Sequence, residues 1–318
     1  MILLFELSGE HPTLPCSELE SVGSVMEYAP QVALADCPSV EDTKRLSLSH
    51  AVLEFLGKCE ATGPAILELT KRLRITATDP FHVRVKKVQG ASPDLSQLLL
   101  ERLIGDRIRG EVSLNHPKIE YRVILSGGYA YVGRVLHHID RGAFLYRDPL
   151  HRPFFHPGVM LPRLARAMVN LSLIRKGELL IDPFCGTGGM LLEARLLGAE
   201  FLGGDADPLM VSGTRTNIPH ADVVVEDAVA MPFRDRVADA VVTDLPYGQS
   251  VGIWRSDLPN IYKGSLAEIH RILKNGRRAV LISHQDIRPL ATDFTLLQYH
   301  EQRVHKSLTR RIQVLMKE

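Results

Sequence analysis

The alternation of apolar and polar positions changes period near the middle of the chain. Before residue 150 the runs are short. Residues 1–7 and 32–35 read as strands, with a helical turn over 17–22 between them. Over residues 81–88, Phe81, Val83, Val85 and (out of step) Val88 interleave with His82, Arg84 and Lys86, which predicts a half-buried strand with a cationic outer face. Ser92-Pro93-Asp94 then opens a helix in which Leu95, Leu98, Leu99 and Leu103 recur at helical spacing until Gly105 stops it. Residues 119–125 and 130–136 flank Gly127-Gly128 as a hairpin, completing an α+β pattern.

Residues 147–162 hold Pro149, Pro153, Pro157 and Pro162 among basic and aromatic residues. Proline forbids regular pairing, so this stretch is a boundary. Beyond it a helix at 163–173 precedes strands at 179–182, 201–205, 222–225, 239–244 and 279–283, and helical segments separate them, one from about 190 to 197 and most clearly 209–217 and 266–273. That rhythm predicts a parallel sheet with helices on both faces. Residues 294–300 and 312–316 read as two last strands around a charged loop at 301–311.

A chain of 318 residues, 45% hydrophobic and 24% charged, is long enough for more than one domain with buried cores. No apolar run reaches the ~20 residues of a membrane helix, and the N-terminus lacks the basic lead-in of a signal peptide. Cys16, Cys37, Cys59 and Cys185 are scattered, which argues against a zinc site or disulfide framework and fits a cytoplasmic protein. Charge is uneven. Residues 1–70 hold 3 Lys and Arg against 11 Asp and Glu, whereas residues 71–155 hold 15 against 8. The basic middle suggests a polyanion-binding face.

Two segments carry chemistry. Ile181-Asp182-Pro183-Phe184-Cys185-Gly186-Thr187-Gly188-Gly189 ends a strand in a glycine-rich turn, where backbone N–H groups can approach a ligand. Asp205 ends the next strand and suits two ribose hydroxyls, while Asp227 suits an adenine amino group. Asp207 precedes Pro208 and is expected to cap a helix. A nicotinamide enzyme needs a similar turn, but its G-x-G-x-x-G spacing is absent. The second segment, Asp244-Leu245-Pro246-Tyr247, suits transfer to an exocyclic amine. Asp244 and the Leu245 carbonyl would accept the two amine hydrogens, Pro246 stiffens the loop, and Tyr247 offers a stacking face. Trp254 is a stacking residue or an apolar anchor, and His151, His156 and His284 read as loop or core residues rather than bases. A non-catalytic RNA-binding protein would have no reason to keep Asp182, Gly186, Asp205 and Asp244 together.

With these motifs the chain resembles the THUMP-domain RNA methyltransferases, in particular the archaeal and eukaryotic tRNA guanosine-10 N2-methyltransferases. Arg152-Pro153-Phe154, His156-Pro157-Gly158, residues 162–171, residues 182–189 and Thr243-Asp244-Leu245-Pro246-Tyr247-Gly248 carry the likeness. The family usually has Pro-Pro where this chain has Leu245-Pro246, and a leucine keeps the carbonyl but loosens the backbone. The resemblance implies an α/β fold, a Rossmann-like class I methyltransferase domain (162–318) preceded by an α+β region. That region would comprise a ferredoxin-like piece (1–50), a THUMP RNA-binding domain (51–146) and a linker (147–161). It implies S-adenosyl-L-methionine as cofactor, touched by His156, Pro157, Asp182, Phe184, Gly186, Thr187, Gly188, Asp205, Ala206, Asp227, Ala228 and Asp244. It implies tRNA as substrate, gripped through Lys86, Lys87, Arg107 and Arg109, with guanosine 10 flipped out for methylation. Another tRNA position, or ribosomal RNA, is the alternative target. Some members work with a small zinc-containing activator subunit, which makes such a subunit a candidate partner here.

Overall fold

A computed structural model describes residues 1–88, 95–248, 258–306 and 308–318. The helix start expected at Ser92-Pro93-Asp94, and Trp254, lie outside the described residues. The chain divides into two compact units, Met1–Asp140 and Arg141–Glu318.

The first unit is built on one seven-stranded sheet. Its strands are β1 (Ile2–Leu7), β2 (Ser24–Ala29), β3 (Val32–Asp36), β4 (Ser49–Glu60), β5 (Phe81–Lys87), β6 (Ile119–Ser126) and β7 (Tyr129–His138), in the order β2-β3-β1-β4-β7-β6-β5. Helices α1 (Leu14–Glu18), α2 (Gly63–Leu73) and α3 (Gln97–Gly105) accompany it. The alternation in β5 does as expected: Phe81, Val83 and Val85 turn inward onto Ile66 and Leu69 of α2 and Leu100 and Ile104 of α3. Thr62 and Ser96 cap those helices by accepting from Ala65 N–H and Leu99 N–H. Gly127 and Gly128, with φ of +58° and +82°, make the two-residue turn between β6 and β7.

Strand β4 escapes sequence reasoning because bulges between Val52 and Leu53 and between Phe55 and Gly57 break its period of two. It pairs with β1 on one side and β7 on the other, so residues 50 and 51 are neighbours inside a single strand.

In the second unit a seven-stranded sheet runs β10-β9-β8-β11-β12-β14-β13. The strands are β8 (Leu179–Asp182), β9 (Glu200–Asp205), β10 (Val223–Val225), β11 (Ala238–Asp244), β12 (Leu273–Ser283), β13 (Thr295–His305) and β14 (Leu308–Met316). The first five in that order are parallel, and β14 runs antiparallel to both β12 and β13. Leu180, Ile181, Ala240, Val241, Val242 and residues 279–282 are all buried, the continuous apolar runs that parallel strands covered on both faces require. The helices are α4 (Pro162–Leu171), α5 (Gly189–Leu196), α6 (Pro208–Asn217) and α7 (Leu258–Ile272). Tyr262, Leu266 and Ile269 of α7 pack on Val241, Ala279 and Leu281.

Chain order reverses between β8 and β11, since the strand after β8 lies on its other side. The switch point therefore lies at the carboxyl tips of β8 and β11, where ligands bind in such sheets. The charged loop expected at 301–311 is instead mostly strand. Glu301 faces Arg311 and Gln302 faces Arg310 across the hairpin, so charge pairing replaces apolar alternation there. The proline-rich segment is docked rather than loose. Arg147 and Arg166 both donate to the fully buried Glu193 of α5, and Asn217 of α6 hydrogen-bonds the Phe154 backbone in both directions.

Candidate active site

Asp182 ends β8 with its carboxylate buried, accepting from Thr243 Oγ1 at 2.6 Å and Phe184 N–H at 3.2 Å. Burial pushes it up to about 7, against those two hydrogen bonds. The chain then turns through Gly186 and Gly188 at φ of +51° and +80°. Nothing lies within 4 Å of where a Gly186 side chain would project, so the loop leaves an open cradle. Gly186 N–H donates to Asp205 Oδ2 at 2.9 Å, and Asp207 N–H to Asp205 Oδ1 at 2.9 Å. Each Asp205 oxygen keeps a lone pair for a ligand hydroxyl. Asp207 accepts from Leu209 N–H at 2.8 Å, the helix cap expected of it.

Past β10 the buried carboxylate is Glu226, which sequence reasoning overlooked. It is 8% exposed, neither oxygen has a partner, and burial, with Asp227, Glu268 and Asp205 adding repulsion, pushes it up to about 7. The only signal was its place at the end of Val223-Val224-Val225. Asp227 is exposed and accepts from Val229 N–H at 3.1 Å. Ala206 is exposed, Thr187 is buried, and Ala228 sits in the core cluster against which Phe184 packs. His156 and Pro157 are both exposed, and His156 Nδ1 lies 3.0 Å from the Pro157 carbonyl. The residues on either side of that pair, Arg152 and Val159, reach the start of α5 at Gly189.

The loop that follows β11 is pinned at three points. Leu245 N–H donates to Ile282 O on β12 at 2.8 Å and its side chain is buried in the core, so leucine anchors the backbone that its lack of a ring was expected to loosen. Pro246 O accepts from Tyr262 of α7 at 2.6 Å, and the Tyr247 hydroxyl donates to Asp244 Oδ1 at 2.7 Å. The Tyr247 ring also leans on His284, centroids 5.2 Å apart. Burial pushes Asp244 up to about 6, with Tyr247 and Arg310 pulling it back down. Tyr247 itself is held far above the ordinary phenol range by burial and by the Asp244 charge.

The expected RNA contacts fall apart into two kinds. Lys86 is committed to Glu6 of β1, which also takes Arg122, and Arg107 donates to the Leu103 carbonyl at 2.6 Å. Lys87 and Arg109 are exposed. Among the described residues no cluster of three or more His, Cys, Asp or Glu is placed to hold a metal ion, and no helix is long and apolar enough to cross a membrane.

Residues 149–312, more than half of the chain, match the family described as "RMKL-like, methyltransferase domain". The chain belongs to this family. As a methyltransferase of the family it uses S-adenosylmethionine as donor. It is 34% identical to the tRNA (guanine(10)-N2)-dimethyltransferase of Methanothermobacter thermautotrophicus, over 99% of each chain. It is 29% identical to the enzyme of the same name from Methanocaldococcus jannaschii, over 98% of this chain and 99% of that one. The crystal structure of TrmN from Thermus thermophilus superposes over 100% of both chains with a TM-score of 0.55 at 20% identity, a likeness of fold. The open space at Gly186 leaves room for a ligand, and the acceptor positions left on Asp205 and Glu226 have the chemistry to take the hydroxyl and amino hydrogens of the methyl donor.

Proposed function

We propose that this methyltransferase adds one or two methyl groups to the exocyclic N2 of guanosine 10 in tRNA. The observation that carries the reading is the pairing of tips. Asp182 and the open Gly186 cradle end β8 while Asp244, Leu245 and Tyr247 end the adjacent β11. Two full-length relatives bearing the dimethyltransferase name support position and reaction.

When bound, S-adenosylmethionine supplies an electrophilic methyl on a cationic sulfur. Asp205 would hold its ribose hydroxyls, and Glu226 or Asp227 its adenine amino group. The guanine amine is a poor nucleophile because its lone pair is conjugated into the ring. Asp244 would accept one N2 hydrogen and the Leu245 carbonyl the other, turning the lone pair toward the donor. To do so the amine displaces the Tyr247 hydroxyl from Asp244, freeing the ring to stack on the base. A carboxylate that titrates near 6 can also take the proton N2 sheds after transfer.

The tRNA grip then rests on Lys87 and Arg109, joined by exposed Lys71, Arg72, Arg74 and Arg102. Backbone bonds from Arg109 to Ile75 and from Ala77 to Arg109 bring the ends of α2 and α3 together there. The sheet edge at β10, where Val224 and Val225 are exposed, suits a protein partner, and we assign a small zinc-containing activator subunit to it. A cytoplasmic site of action follows from a tRNA substrate.

Incubation of unmodified tRNA transcript with labelled donor, followed by nucleoside analysis, tests the reading. N2-methylated guanosine should appear with guanosine 10 and vanish when that base is replaced; label at another position would overturn the target. Asp244→Ala should abolish transfer while tRNA affinity stays within about twofold.

A further inference from the structure

Strand β14 sends one cation toward the catalytic loop. Asp244 of β11 is level with Ile282 of β12, and Ile282 with Ile312 of β14, so these three side chains leave the sheet on one face. Arg310 stands two residues from Ile312, hence on that face too, one step beyond the carboxyl tip of β11. Its Nε is buried without a hydrogen-bond partner. The guanidinium acts on both the Asp244 carboxylate and the Tyr247 hydroxyl, lowering the proton affinity of each.

We infer that Arg310 is a positioning residue whose charge keeps Asp244 an ionised acceptor, ready for the hydrogen of the incoming amine. The inference rests on the proposed reaction. A protonated Asp244 would present an O–H to an N–H donor and lose its acceptor role at that oxygen. Among the described residues, the groups that act on Asp244 or that it acts on are Tyr247 from its own loop, Asp182 from β8, Tyr262 from α7 and Arg310 from β14, with His284 against both tyrosines. Of these, Arg310 is the one that brings a guanidinium. Burial favours the neutral acid, and the Tyr247 hydrogen bond and the Arg310 guanidinium oppose it; once the incoming amine displaces the Tyr247 hydroxyl, the guanidinium is what remains of that opposition.

The test is a titration of Asp244 itself. Protein labelled with 13C at aspartate side-chain carboxyls is followed against pH, the Asp244 signal being assigned by its loss in Asp244→Asn. In Arg310→Met the midpoint should rise by at least about one pH unit, and Arg310→Lys should restore most of the difference. S-adenosylhomocysteine affinity, measured in parallel, should stay within about twofold and reports that the donor site is intact. Single-turnover methylation should show the acid limb of the Arg310→Met profile displaced by the same amount, with rates converging on native above about pH 8.5. An unmoved Asp244 midpoint overturns the inference, and so does a rate loss equal at every pH. If the native protein methylates no tRNA the proposed reaction fails, while the titration still decides what Arg310 does to Asp244.

Discussion

Two glycines in one loop should respond oppositely to alanine. Gly186 sits at φ +51° with nothing within 4 Å of its missing side chain. Alanine there costs only the left-handed backbone penalty, about 1 kcal/mol. Gly188 sits at φ +80°, and its Cβ would come to 2.9 Å from Thr214 Cγ2 and 3.0 Å from Ile218 Cδ1. Thr214 cannot swing aside freely, because its hydroxyl donates to Gly186 O at 2.7 Å. Backbone penalty, crowding and a weakened hydrogen bond together come to about 3 kcal/mol. For a unit of this size each kcal/mol shifts Tm by about 3 °C, so Gly186→Ala should lower it by about 3 °C and Gly188→Ala by about 9 °C. Affinity for S-adenosylhomocysteine, by calorimetry, should rank the other way per degree lost. Gly186→Ala fills the cradle and should weaken binding at least about tenfold while barely touching the melt. Undiminished binding by Gly186→Ala would show that the open space is not the donor's. Equal Tm losses for the two variants would refute the packing argument for Gly188.

Three further outcomes follow from single contacts. Leu245→Pro removes the N–H that donates to Ile282 O and should cost about 2 kcal/mol by thermal melting, even though proline is the family's usual residue there. Glu226 has a folded pKa raised to about 7 from 4.5, so the folded state holds its proton more tightly. Its penalty is absent at low pH, grows as pH climbs through that window and is complete above 7. Glu226→Gln should therefore raise stability at pH 8 by on the order of 2 kcal/mol and change it little near pH 4.5, compared by denaturant melts at the two pH values. Lys86→Ala should cost about 1 kcal/mol by unpairing Glu6 in part and leave tRNA binding alone, whereas Lys87→Ala with Arg109→Ala should reduce the slope of log affinity on log salt by about 1.5.

The second unit was legible because its strands announce themselves twice. Leu179-Leu180-Ile181 and Val241-Val242 are apolar on both faces, and each ends in an acid that has no place in a core. In the first unit the short apolar runs that became β1 and β3 and the alternation in β5 were legible. Edge strand β2, whose side chains are exposed or only partly buried, and the bulged β4 carry no clean period. Helix α7 begins at Leu258, ahead of the apolar spacing that marked it at 266.

At the candidate site, order along the chain sufficed to put Asp182, Gly186, Asp205 and Asp244 at or just past neighbouring strand tips. Sequence order does not show what a distant strand places alongside. Lys86 alternates as a solvent-facing cation should, yet β1 brings Glu6 beside it and turns it into a structural partner. Arg310 is the converse. It sits in a stretch so charged that it read as a loop, and only the β12–β14 register sets it over a carboxylate 66 positions earlier in the chain. Both residues are exposed-looking cations by pattern, and only the folded sheets show that one has a carboxylate partner and that the other lies on the sheet face that carries Asp244.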